Sequence, residues 1–173
     1  AGALKLADTS RVEVSSLDIT SGEFIVKSGT TDYVITGAAD LGNALTVANG
    51  ATTNITASAI DVSGDITNNG TLALTTTGAA TGVNVGNVIN QSGLTINTNG
   101  SLIAKSFKNE ATATATITSS EMNLSNPADI QKALTIANNL YQNYTGALAG
   151  GDVTITNSNY TITATGISVG GNF

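Results

Sequence analysis

Between Gly64 and Ala104 the chain carries four short apolar-x-apolar steps: Leu72/Leu74, Val83/Val85, Leu94/Ile96 and Leu102/Ala104. Turn-forming Asn, Gly and Ser residues separate them. The first three steps begin at 72, 83 and 94, a recurrence of eleven residues. Two apolar residues spaced by two lie on one face of a strand. A unit this short and this regular predicts a chain that stacks copies of itself.

The same alternation runs through the N-terminal part. Leu4/Leu6, Val12/Val14, Leu17/Ile19 and Phe24/Val26 are each spaced by two, with polar turn residues between them. Val34 to Thr36 reads as a further strand and residues 37–43 as a loop. Leu45/Val47, Ile55, Ile60/Val62 and Ile66 continue the series. Asn-Gly pairs punctuate it at 49/50, 69/70 and 99/100, and residues 65–74 match 95–104 at an offset of thirty. Residues 111–120 alternate Ala, Thr and Ile as one strand with a thin apolar face, and Met122/Leu124 closes this part.

The pattern then changes. Asn126, Pro127 and Asp129 form a helix-start signal: a capping amide, a proline at the first helical position and an acid in the first turn. Ile130, Leu134, Ala137, Tyr141 and Tyr144 step by four and three, which is one helical stripe, and Gly146 can end it. These residues predict an amphipathic helix over 127–144, packed on the β body or docking a partner. Strand alternation resumes at Val153/Ile155, Tyr160/Ile162 and Ile167/Val169.

Two architectures fit the strands. In a parallel β-solenoid each coil has short strands with about two inward residues, and two eleven-residue steps make one coil of roughly twenty-two. In an antiparallel, jelly-roll-like sandwich, strands run ~5–6 residues. Asn-Gly between alternating segments is a strong hairpin signal and favours the sandwich. The solenoid is the leading expectation. Antiparallel pairing of 62–68 with 71–77 would overturn it.

Composition agrees with an all-β chain. Thr (28), Asn (19), Gly (19) and Ser (15) make up 81 of the 173 residues. Thr favours extended backbone, and Asn, Gly and Ser favour turns. Only 6 basic and 12 acidic residues are present, for a net charge of −6. Stacked coils account for that scarcity, because a charge repeated every ~4.8 Å would repel its own copy. The acidic balance argues against nucleic acid and against an anionic membrane surface. No apolar run approaches the ~18 residues of a membrane span. The first ten residues lack the basic start and apolar core of a signal peptide. The chain reads as a single β domain over 1–173, a fragment of or repeat unit in a larger assembly, with 127–144 as a helical insertion.

The phrases at 64–74, 89–93, 99–109 and 168–173 resemble filamentous haemagglutinin-type repeats. Those belong to the large exoproteins of bacterial two-partner secretion and to related autotransporter passengers. The resemblance covers Ala44 to Asn109 well and the last twenty residues weakly; it does not extend to 127–144. It implies a right-handed β-helix at a cell surface, acting in adhesion, biofilm or filament formation. The family's repeats hold no catalytic residues, so none carries over.

The chain contains no His and no Cys, which removes imidazole bases, Ser-His-Asp and Cys-His sets, thiolate metal sites and disulfides. Carboxylates remain. Asp61/Asp65 flank a Ser-Gly turn and Asp32/Asp40 flank a loop, and they read as solvated turn residues rather than as a glycosidase pair. No catalytic, cofactor-binding or metal residue is assigned. Calcium at Asp61 and Asp65, or at Asp152, is the weak cofactor candidate, because no EF-type loop or nonapeptide repeat is present. Asn-x-Ser/Thr occurs at Asn54, Asn69, Asn90, Asn99, Asn123, Asn143 and Asn159, as expected by chance from this composition. The expected function is a non-enzymatic, extracellular structural or adhesive surface protein. Its expected partners are further copies of itself and host or cell-surface glycan or protein. The alternative is a pilin-like fibre subunit that polymerises by β-strand addition from Ala3–Val14 or from Gly166–Phe173.

Overall fold

The structure, a computed structural model, describes residues 9–78, 82–110, 112–119, 121–124, 128–130, 133–138, 148–150, 152–156 and 167–169, with side chains described as far as residue 119. Every element is a strand, and every strand pairing is parallel. The first coil contains β1 (Thr9–Val14), β2 (Leu17–Asp18) and β3 (Glu23–Val26). The second contains β4 (Thr30–Ile35), β5 (Ala39–Asp40) and β6 (Ala44–Val47), and the third β7 (Thr52–Ala57), β8 (Ile60–Val62) and β9 (Asp65–Asn68). In the fourth and fifth the two shorter strands merge, giving β10 (Thr71–Thr76) with β11 (Val83–Asn90), then β12 (Gly93–Asn97) with β13 (Ser101–Asn109). Beyond these lie β14 (Thr114–Ser119), β15 (Glu121–Leu124), β16 (Ala128–Ile130), β17 (Ala133–Asn138), β18 (Leu148–Gly150), β19 (Asp152–Thr156) and β20 (Ile167–Val169).

The first strand of each coil forms an eight-stranded sheet in the order β1-β4-β7-β10-β12-β14-β17-β19. The other strands form a twelve-stranded sheet that bends into two faces. The bend is visible within β11. Residues 83–85 pair with β8, residues 88–90 pair with β9, and the inward positions shift from Val83 and Val85 to Val88 and Asn90 across Gly86. Three faces therefore enclose one core, and the chain is a β-solenoid.

Register shows why the eleven-residue step exists. Thr9 pairs with Thr30, Thr30 with Thr52, Thr52 with Thr71, Thr71 with Gly93 and Gly93 with Thr114, in steps of 21, 22, 19, 22 and 21 residues. Leu72 and Leu74 pair with Leu94 and Ile96, one full coil apart. Val83 and Val85 lie on the next face and pair with Leu102 and Ala104. Eleven residues are thus half a coil. The resulting columns are apolar throughout: Tyr33, Ile55, Leu74, Ile96 and Ile117 follow one another on the first face, with the last four buried. Each coil covers the apolar side chains of the next, which is how a chain with short strands buries a continuous core.

The leading solenoid expectation holds: Asn69-Gly70 is a corner and not a hairpin tip, since β9 pairs with β6 and β11, and β10 with β7 and β12, all parallel, so the sandwich is excluded. The structure corrects three other sequence expectations. The helix over 127–144 is not formed where the chain is described. Residues 128–130 and 133–138 are β16 and β17; residues 127, 131, 132 and 139–144 lie outside the described residues. Leu134 and Ile136 pair with Ala115 and Ile117, so the period-two spacing that extends two existing columns prevails over the local helix signal. Residues 37–43 are not simply a loop, since β5 lies within them and Ala39 and Leu41 are core residues. The offset of thirty is not the structural repeat either: Asp65 pairs with Ala44, whereas Thr95 pairs with Ala73 and Thr116 on another face.

Corners demand small residues. A Cβ on Gly64 would run into the backbone oxygen of Asn43 one coil below, and one on Gly70 into the oxygens of Ala51 and Ala48. Glycine is used at these two positions for close approach between coils rather than for an unusual φ.

Candidate functional site

The corner that follows the third face forms a concavity of about 610 Å3, lined by Thr46, Ala48, Asn49, Asn69, Gln91, Glu110 and Thr112. Its construction follows from register. Val47, Asn68, Asn90 and Asn109 are successive partners in β6, β9, β11 and β13, so the next residue in each coil turns outward at the same height on the corner. The backbone ladder continues one residue beyond the strands: the amide nitrogens of Asn69, Gln91 and Glu110 donate to the carbonyl oxygens of Val47, Asn68 and Asn90, at 2.8, 2.8 and 2.9 Å. Asn69, Gln91 and Glu110 therefore form a column along the groove on a rigid floor.

Behind that column lies a second, buried one. Asn68, Asn90 and Asn109 are fully buried. Asn68 Nδ2 donates to Asn90 Oδ1 at 2.8 Å, and Asn90 Nδ2 donates to Asn109 Oδ1 at 2.7 Å. The same amides also reach corner carbonyls, Asn68 to Gly93 O (2.9 Å), Asn90 to Thr114 O (2.9 Å) and Asn109 to Ala113 O (3.2 Å). A side-chain amide carries donors and an acceptor, so identical residues stacked at one coil spacing satisfy each other. A hydroxyl column does the same at the opposite end of the first face, where the buried Thr76 and Thr98 oxygens are 2.6 Å apart.

The outer amides differ from the inner ones. The side chains of Asn49, Asn69 and Gln91 make no hydrogen bond among the described residues, whereas Glu110 pairs with Lys108 at 2.8 Å. The groove thus offers free amide donors and acceptors beside one carboxylate. That equipment suits hydrogen bonding to an extended ligand lying along the corner.

The acids singled out in the sequence are spread over different faces. Asp61 and Asp65 stand on either side of the Gly64 corner. Asp61 Oδ2 accepts from Asn84 Nδ2 at 3.0 Å, and Asp65 Oδ1 accepts from Asn87 N and Nδ2, both at 2.8 Å. Asp32 accepts from Asn54 at 2.6 Å on the first face, and Asp40 accepts from the amide of Gly42 at 2.9 Å on the second. Among the described residues no group of three acids could hold a metal ion. Asp152 pairs with Ala133 through the backbone of β19. Asp18, Asp40 and Asp61 do stack in register, which the sequence reading held to be disfavoured. Of the described glycosylation-type asparagines, Asn90 is fully buried and Asn54 and Asn99 are exposed.

The sequence marked Asn49 as a turn residue and Asn69 as a turn residue and an Asn-x-Thr position, and it did not single out Gln91. The spacing of 22 residues from 69 to 91, one coil, was the available signal. No family model matches this chain, and no curated protein or solved structure matches it either.

Proposed function

We propose that this chain is a structural or adhesive segment of an extracellular bacterial surface protein, a stiff β-rod that engages partners along its length. The observation that carries the reading is the unbroken parallel stack, with core columns that pass through five successive coils. Such a body offers long polar faces and a groove lined by amides that make no side-chain hydrogen bond among the described residues. The resemblance of residues 44–109 to filamentous haemagglutinin-type repeats supports the same reading, as does the absence of His and Cys for catalysis. The partners that fit are further copies of the chain and cell-surface glycan or protein.

The test is shape together with adhesion. Small-angle scattering should give an elongated particle, and the purified chain immobilised on beads should retain cells or cell-wall glycan. Loss of retention in a double variant Asn69→Ala/Gln91→Ala with an unchanged unfolding midpoint supports the groove as the contact. A chain that retains neither cells nor glycan argues against adhesion.

A fibre subunit is the second reading. One observation favours it: among the described residues β1, β2 and β3 each pair on one side only, so no described strand caps that end of the stack. Electron microscopy of the concentrated chain distinguishes the two. Ordered fibres that disappear when residues 1–14 are deleted support strand addition; isolated rods support the first reading.

A further inference from the structure

The three Asn-Gly pairs share one local chemistry and have three different surroundings. In such a pair the glycine backbone nitrogen can attack Cγ of the asparagine side chain, and the absence of a Cβ on glycine leaves the approach open. The attack needs a glycine amide that is not already committed and a turn free to bend.

Two of the pairs meet neither condition. The Gly70 amide donates to Asn68 Oδ1 at 3.3 Å, and Gly70 is buried against the carbonyl oxygens of Ala51 and Ala48. The Gly100 amide donates to Thr98 Oγ1 at 3.1 Å, and Gly100 is also buried. The first pair is different. Asn49 and Gly50 are both exposed, and Gly50 sits at φ +77 with nothing within 4 Å of the position a Cβ would take. Ala51 N closes that turn on Ala48 O at 3.1 Å, and the Gly50 amide has no acceptor among the described residues.

We propose that Asn49 is a self-modification site, where the folded chain loses a side-chain amide spontaneously while Asn69 and Asn99 are protected. The Gly50 nitrogen forms a bond to Asn49 Cγ, the bond from Cγ to the side-chain nitrogen breaks, and the proton released from the Gly50 amide leaves with it as ammonia. Water then opens the cyclic imide at either carbonyl, giving aspartate or isoaspartate. No oxidant or cofactor is required. The product is a second carboxylate beside Glu110 in a groove whose other described lining residues are uncharged. The isoaspartate form also lengthens the backbone at the corner between β6 and β7. Ageing of the chain thereby converts an amide-lined groove into an anionic one.

The experiment ages the purified chain in mildly alkaline buffer, folded and in urea, and maps Asn, Asp and isoaspartate at the three sites by peptide mass spectrometry. The urea sample sets each site's intrinsic rate. In the folded chain Asn49 should convert near its intrinsic rate. Asn69 and Asn99 should fall at least roughly tenfold below theirs, the rate equivalent of opening one hydrogen bond worth about 1.4 kcal/mol. An Asn49→Gln variant should remove the conversion at that site without changing the unfolding midpoint. Protection of all three sites overturns the proposal, as does conversion at Asn69 or Asn99 that matches Asn49 relative to the urea reference.

Discussion

Replacing Asn90 by alanine should be among the most damaging single changes in this chain. Asn90 sits in the middle of the buried amide column. Its removal breaks the bonds that Asn90 Nδ2 donates to Asn109 Oδ1, Thr114 O and Ser92 O, and takes an acceptor from Asn68 Nδ2. Asn68 keeps its bond to Gly93 O, so its loss is partial. Three bonds from one buried amide to the next coil and the corner are lost, at about 1 kcal/mol each, so a cost of about 3 kcal/mol is expected. Asn90→Asp should cost as much or more, because it keeps the shape but turns a carboxylate oxygen toward the Asn109 and Thr114 oxygens. Asn54→Ala is the control. Asn54 also bonds one coil down, to Asp32 at 2.6 Å, but on the exposed face, so its loss should stay below about 1 kcal/mol. Urea unfolding followed by far-ultraviolet circular dichroism, with midpoints compared at a common slope, measures all three. Equal losses for Asn90→Ala and Asn54→Ala would refute the view that the buried amides hold adjacent coils together.

Three further outcomes follow from the same geometry. Gly64→Ala should cost about 4 kcal/mol or more in urea unfolding, since the new Cβ meets the Asn43 backbone, whereas Gly50→Ala should cost only the ~1–2 kcal/mol of a side chain at positive φ. Asp40→Asn should raise stability by roughly 0.5 kcal/mol at low salt and by less at high salt, because it removes the central charge of the Asp18, Asp40 and Asp61 stack while its oxygen can still accept from Gly42. Burial raises the Tyr33 phenol above its ordinary 10.0, so the neutral form is favoured in the folded chain. The contribution is intact below pH 10.0 and is lost as pH rises through the raised value, so the unfolding midpoint should fall there and fall less in Tyr33→Phe.

The sequence by itself determined the class of fold and the length of the coil. Leu72/Leu74 and Leu94/Ile96 are two apolar pairs one coil apart, and alternation assigns each pair to one face without knowledge of any partner. The corners were also legible as Asn, Gly and Ser clusters. What those clusters connect was not. Asn69-Gly70 has the local chemistry of a hairpin tip, and only its parallel neighbours 19–25 residues away make it a corner. The helix expectation at 127–144 failed for the same reason. Asn126, Pro127 and Asp129 act locally, whereas Leu134 and Ile136 answer to the columns above Ala115 and Ile117. The groove and the buried amide column needed the tertiary structure as well. Asn68 and Asn69 are neighbours of one type in the sequence, yet one side chain faces the core and pairs with its copies while the other turns into the groove and bonds to no described residue. Periodicity along the chain determines strands, but in a solenoid each residue's environment is set by the residue one coil away.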